Sequence, residues 1–250
     1  MHFMEFIKST QNTLIKRIAS LKEAKGRRSE QLFIAEGMRI VKDGSVPKYL
    51  FVTSENVDYA TQYVEKCEVY EVSSEVFAKI SDTKSPQGVL GVYSIPEVGV
   101  KPMTGDRAIV LDGVSDPGNV GTIIRTAVSC GFYDIYLINC ADPYSPKVVR
   151  STMSGIFKCR ISIGSCEEVF VALKNKGAKV YALDMGGEDL FSECITTPFA
   201  LVVGSEARGV CEYTRQNSDA TLSLPMEGDI ESLNAGVSAS VAMYVTRYKK

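Results

Sequence analysis

Three short segments in the second half of the 250-residue chain carry the residue types that could do chemistry. The first runs Asp112-Gly113-Val114-Ser115-Asp116-Pro117-Gly118-Asn119-Val120-Gly121-Thr122-Ile123-Ile124-Arg125-Thr126. An apolar run ends in a tight Asp-Pro-Gly-Asn turn and a helix opens after it. Free backbone N–H groups then face the strand end, where ligands of open α/β sheets bind. Asn119 is placed as the N-cap of that helix. Arg125 lies inside an apolar stretch, where a guanidinium needs an anionic partner such as phosphate or carboxylate, or must reach solvent at the cleft. In the second segment the apolar run Phe199 to Val203 ends at Gly204, and Ser205-Glu206-Ala207-Arg208-Gly209 follows. The missing side chain at Gly204 lets its backbone approach another backbone or a flat ligand. The third holds Leu224-Pro225-Met226 and Glu231-Ser232-Leu233-Asn234, then the small residues Ala235, Gly236, Ser238, Ala239 and Ser240. Such residues permit close helix packing, internally or against a second subunit. For Asn119, Glu206, Ser232 and Asn234 the alternative is a role confined to capping and turning the chain.

Composition removes other chemistries. With a single histidine, His2, no Ser-His-Asp triad, His-rich zinc site or second histidine base can be written. The seven cysteines are odd in number and form no CxxC, so they read as core thiols and no metal is expected. Asn, Arg, Glu and Ser at strand ends suit binding and positioning more than acid/base or metal chemistry. These residues imply a cofactor or nucleotide site in a parallel α/β domain. The GxGxxG of a Rossmann-type nucleotide enzyme is absent after the first strand.

The elements that must hold these segments follow from periodicity. Continuous apolar runs at Ala108 to Leu111, Ile135 to Ile138, Val180 to Leu183 and Phe199 to Val203 predict strands buried on both faces. Helices are expected at Val120 to Cys130, Lys147 to Gly155, Glu167 to Lys176 and Ser232 to Tyr248, giving a parallel sheet covered by helices. Before them, Pro96, Gly99, Pro102 and Gly105 mark a linker, and the expected domains are 1–98 and 105–250. The first is a small α/β domain with strands at Leu32 to Ala35, Tyr49 to Thr53, Glu68 to Val72 and Val89 to Tyr93. Its helices are expected near Phe6 to Leu21, Met38 to Asp43 and Ser74 to Ile80. Net charge is -2, but residues 1–48 hold ten basic side chains against five acidic, and residues 49–100 three against eight. No apolar run approaches the roughly 20 residues that span a bilayer and no signal-like block opens the chain, so a cytoplasmic location is expected.

The three segments, in this order, closely resemble motifs 1, 2 and 3 of the SpoU/TrmH family of RNA 2′-O-ribose methyltransferases in the SPOUT superfamily. The match runs from Arg107 to about Tyr248, and Ser145 to Arg150 resembles the family's central segment. The N-terminal part is similar to the family's ribosomal-protein-like RNA-binding domain through Phe33-Ile34-Ala35-Glu36-Gly37, Ser81-Asp82-Thr83 and Pro86-Gln87-Gly88-Val89. The resemblance implies S-adenosyl-L-methionine (AdoMet) held in a C-terminal trefoil knot by Gly204, Leu224, Met226, Leu233 and Asn234. It puts Asn119, Arg125, Glu206, Ser232 and Asn234 at catalytic or ribose-binding positions; Arg27, Arg28 and Arg150 are expected at the RNA. It also implies rRNA or tRNA as partner and a homodimer through the C-terminal domain. Ala235-Gly236 departs from the more usual Val-Ser. A protein that keeps the fold and binds RNA without catalysis is the alternative. The basic block Lys16, Arg17, Lys22, Lys25, Arg27 and Arg28 is expected on RNA phosphates, or otherwise forms a solvated helix face.

Overall fold

The computed structural model describes residues 4–228 and 232–249, so Glu231 of the third motif and His2 lie outside the described residues. Two compact units divide the chain: residues 1–96 with Asp142–Phe157, and Glu97–Ala141 with the residues from Lys158 onward. The segment 142–157, which the sequence reading leaves with the C-terminal part, thus packs with the first unit. No helix among the described residues is long and apolar enough to cross a membrane.

The first unit comprises β1 (Glu5–Ile7), α1 (Thr13–Ser20), α2 (Ala24–Glu30), β2 (Leu32–Glu36), α3 (Met38–Asp43), β3 (Tyr49–Val52), α4 (Val57–Ala60), β4 (Glu68–Val72), α5 (Ser74–Ile80) and β5 (Val89–Ser94). Its sheet runs β1-β4-β3-β5-β2, with β5 antiparallel to both neighbours. Asn12 caps α1 by accepting the N–H of Leu14 at 2.8 Å, which starts that helix later than the apolar spacing from Phe6 suggests. Residues ahead of the cap pair instead with β4 as a short parallel strand. Ile15, Ile18 and Leu21 then bury against Phe51, Phe77 and Ile80.

Helix α2 overturns one expectation. The Arg27 side chain is only 4% exposed; its Nη2 pairs with Asp142 Oδ2 at 2.6 Å and its Nη1 donates to the carbonyls of Leu21 and Lys22. With four of its five N–H donors committed and the side chain buried, Arg27 is removed from the RNA-contacting set. It ties segment 142–157 to its own unit, where Phe33 also packs 5.2 Å from the Tyr144 ring.

The second unit holds β6 (Arg107–Asp112), α6 (Pro117–Cys130) and β7 (Asp134–Ile138). The chain then forms α7 (Pro146–Ser151) in the first unit and returns as β8 (Arg160–Ile163), α8 (Cys166–Asn175), β9 (Lys179–Asp189), β10 (Phe199–Gly204), α9 (Glu212–Asn217), β11 (Ala220–Ser223) and α10 (Ala235–Tyr248). Its sheet is parallel throughout, in the order β11-β9-β10-β6-β7-β8. The apolar runs in β6, β7 and β10 are buried on both faces, as continuous hydrophobicity in a helix-covered sheet requires. Strand order reverses between β6 and β10, which leaves a crevice at their carboxyl ends.

Candidate functional site

The register of the two central strands sets the site. Asp112, last in β6, lies opposite Gly204, last in β10, so the first and second motifs leave the sheet side by side. Asp116, rather than Asn119, is the N-cap of α6: its carboxylate accepts the Asn119 N–H at 2.9 Å, and Pro117 takes the first helical position, where a fixed φ and a missing N–H cost nothing. This correction matters chemically. Relieved of capping, the Asn119 side chain reaches across the crevice and its Nδ2 donates to Glu206 Oε1.

Glu206 sits in a turn closed by two backbone bonds between Ser205 and Gly209, at 2.9 and 3.0 Å. A Cβ at Gly204 would lie 2.0 Å from the Gly209 carbonyl carbon and 2.3 Å from the Val210 nitrogen, so only glycine lets the chain pass there. The third motif returns through α10. Asn234, not Ser232, caps it by accepting the Val237 N–H at 3.2 Å. Gly236 then packs α10 against α6, where a Cβ would stand 3.2 Å from Asn119 Oδ1; further along, Thr126 and Ser240 hydroxyls meet at 3.0 Å. The small residues after Asn234 therefore serve packing within the chain.

A cavity of about 370 Å³ lies among these turns. Its walls come from Leu183, Asp184 and Met185 after the first part of β9, from Val203 to Gly209, and from Leu222 to Leu224, Met226, Ser232, Leu233, Ala235 and Ser238. Four residues expected at a cofactor, Gly204, Leu224, Met226 and Leu233, line it, together with Glu206 and Ser232. Asn234 does not line it and acts at the helix cap. Asn119 is joined to the cavity through Glu206. Arg125 stands exposed on α6, on the face that also carries exposed Thr122 and Ser129, and takes part in no ion pair among the described residues. Leu183, Asp184 and Met185 were missed by the sequence reading, although they follow a recognised strand and the strand-end rule that singled out Gly204 applies equally to them.

The volume falls within the range of small-molecule sites, roughly 300–1,000 Å³. Apolar walls at Leu183, Val203 and Leu222, side-chain-free backbone at Gly204 and Gly209, and the carboxylates of Asp184 and Glu206 suit a flat ligand that bears positive charge. Asp184 is partly engaged by Arg215 Nη2 at 2.8 Å, which leaves Glu206 as the acidic group nearest the first motif.

In the first unit half of the basic block, Arg17, Lys22 and Arg27, is committed to structure. Arg17 pairs with Glu30 at 2.5 Å, and Lys22 Nζ donates to the carbonyls of Lys79 and Ser81. Lys16, Lys25 and Arg28 remain exposed. Arg150 of α7 is exposed as well, paired with Asp82 at 3.2 Å.

The chain is similar to known proteins over nearly its whole length. The model of the SpoU rRNA Methylase family matches residues 106–244, and that of the MRM3-like substrate binding domain matches residues 12–91. The 23S rRNA (guanosine(2553)-2'-O)-methyltransferase RlmP of Bacillus subtilis (strain 168) is 30% identical over 251 residues, covering 98% of this chain and 100% of that protein. An AdoMet-bound rRNA methyltransferase from Sinorhizobium meliloti superposes with a TM-score of 0.88 at 28% identity, covering 98% of this chain and 97% of that one. A TrmH-family protein from Porphyromonas gingivalis gives 0.87 at 29% identity, covering 97% and 100%.

Proposed function

The chain belongs to the SpoU rRNA methylase family, and from that premise we propose how its residues divide the work of methylating a ribose in rRNA. It is an AdoMet-dependent RNA 2′-O-methyltransferase, in keeping with its full-length relatives. AdoMet, when bound, supplies an electrophilic sulfonium methyl group. Gly204, Leu224, Met226 and Leu233 would hold it in the cavity, where Gly204 leaves room for the 209–210 backbone and Glu206 and Asp184 would complement its positive charge. The trefoil knot implied by the family belongs to this proposal.

Asn119 and Arg125 act on the RNA. Asn119 fixes Glu206 at the cavity and Ser232 adds a hydroxyl to the same wall, so the ribose is positioned by neutral groups around one carboxylate. Arg125 serves as an anchor: its planar fork takes two phosphate oxygens and orients the 2′-hydroxyl, whose proton leaves to water. Exposed Arg28 and Arg150 hold phosphates of the same RNA through the first unit. The enzyme works in the cytoplasm as a homodimer through its second unit, with the exposed Val237, Tyr244 and Tyr248 of α10 as the contact face.

The observation that carries this reading is the bond from Asn119 to Glu206, which joins two motifs 87 residues apart at the wall of one cavity. The test is transfer of labelled methyl from AdoMet to ribosomal RNA of a strain lacking the gene, with the product mapped by 2′-O-methyl sequencing. One restored mark is expected. AdoMet binding with RNA binding but no transfer would return the chain to a binding-only protein.

A further inference from the structure

Two residues beyond Gly209, outside the cavity, the structure gathers a side-chain cluster that the methyl-transfer chemistry does not use. Asp112 ends β6, Cys166 opens α8 and Cys211 precedes α9. The two Sγ atoms are 3.4 Å apart, and one ligand atom from each of the three residues lies within 4.8 Å of the others. The Asp112 side chain is 5% exposed and takes part in no ion pair among the described residues. Its Oδ2 accepts the Cys211 N–H at 2.8 Å and the Thr214 hydroxyl at 2.7 Å, so the carboxylate is held against the thiols by a buried frame.

We propose that Asp112, Cys166 and Cys211 form a site for a thiophilic divalent cation, with zinc as the fitting ion. Tetrahedral zinc with Zn–S bonds of about 2.3 Å places two sulfurs about 3.8 Å apart and a carboxylate oxygen about 3.5 Å from each. The pair needs to separate by only a few tenths of an ångström. Charge also balances. The cation enters as the two thiols release their protons to solvent, so the cluster carries a formal charge of -1 before and after, and no additional charge is buried. A water fills the fourth position from the partly exposed side of Cys166. Held this way, the ion clamps the ends of three elements, one of which continues directly from the 205–209 turn of the cavity.

The experiment uses the full chain, stripped with a chelator, kept reduced with a phosphine, and titrated with cobalt(II) and then zinc(II). One equivalent of cobalt is expected to give a sulfur-to-metal charge-transfer absorption that zinc displaces, with two protons released per ion by the buffer dependence of the calorimetric heat. Cys211→Ser should weaken binding by about a hundred-fold, since loss of a ligand costs at least as much as loss of its support. Cys194→Ser, at an exposed thiol outside the cluster, should leave it unchanged. Should Cys211→Ser fail to fold, Cys166→Ser and the wild-type proton count decide. The proposal is overturned if the reduced protein shows no charge-transfer band, or if the band survives the cysteine substitutions. It is equally overturned if the pair takes no metal and only forms a disulfide with oxidised glutathione.

Discussion

Replacing Gly204 with alanine places a methyl group where there is backbone. The added Cβ would stand 2.0 Å from the Gly209 carbonyl carbon, whereas ordinary contact begins at 3.4 Å. The 205–209 turn would have to retreat by about 1.4 Å, a distance that overpacked cores ordinarily absorb through side-chain shifts. No such relief exists here. Two backbone bonds between Ser205 and Gly209 close the turn, and the Asp112 carboxylate holds the Cys211 N–H just beyond it. Overpacking costs about 1–3 kcal/mol where side chains can move, so Gly204→Ala is expected at the upper end, about 3 kcal/mol of the second unit's stability. That corresponds to about 10 °C in Tm. Because the same turn walls the cavity, AdoMet affinity should fall by a factor of about ten or more, equivalent to about 1.4 kcal/mol. Thermal unfolding by circular dichroism and calorimetric AdoMet titration measure the two effects. Gly228→Ala is the control, since a Cβ there meets nothing within 4 Å. The steric reasoning fails if Gly204→Ala unfolds within about 1 kcal/mol of wild type and binds AdoMet as before.

Arg125→Ala is expected to abolish methyl transfer while Tm and AdoMet affinity survive, and Arg125→Lys to be nearly as inactive because ammonium lacks the planar fork; activity per folded molecule near wild type would remove Arg125 from the mechanism. Arg27→Ala and Arg28→Glu should separate structure from binding. The first is expected to cost about 3 kcal/mol, less than a fully buried pair because Asp142 is 36% exposed, and the second to weaken RNA binding and reduce its salt dependence with Tm unchanged. Burial raises the Asp134 carboxyl, but the Arg160 guanidinium and the N–H groups of Gly105 and Thr104 outweigh it and leave it below its ordinary value. A lowered folded pKa gives stability that is full above the unfolded value of about 3.9 and is lost as pH falls through the folded value; Asp134→Asn should therefore flatten the acid limb of a urea-unfolding series, and an unchanged limb would show that Asp134 does not drive it. Tyr244→Asp, on the exposed face of α10, should convert a sedimenting dimer to monomer, and a wild-type monomer at micromolar concentration would defeat the dimer outright.

What the sequence by itself determined is the local part of this protein. Strands β6, β7 and β10 are legible because burial on both faces demands unbroken apolar runs, and few other structures do. Glycine at 204 and the Asp-Pro-Gly-Asn turn are legible because they answer steric demands met within a few residues. Elements without such a demand were invisible: β11 is a short, half-buried edge strand reading Ala-Thr-Leu-Ser, and β1 is three residues at the sheet edge beside β4. Side-chain destinations were decided by tertiary structure alone. Arg27 and Arg28 are indistinguishable neighbours in the chain, yet one is buried because Asp142, 115 residues away, waits for it and the other faces solvent. Asn119 has the type of a cap, but Asp116 takes that duty and Glu206 receives the freed amide. Cys166 and Cys211, with no motif between them, meet only because β6 and the starts of α8 and α9 converge. Periodicity and sterics act over a turn or two of chain, whereas the partner of a charge, an amide or a thiol is whatever the packed sheet brings within 3 or 4 Å.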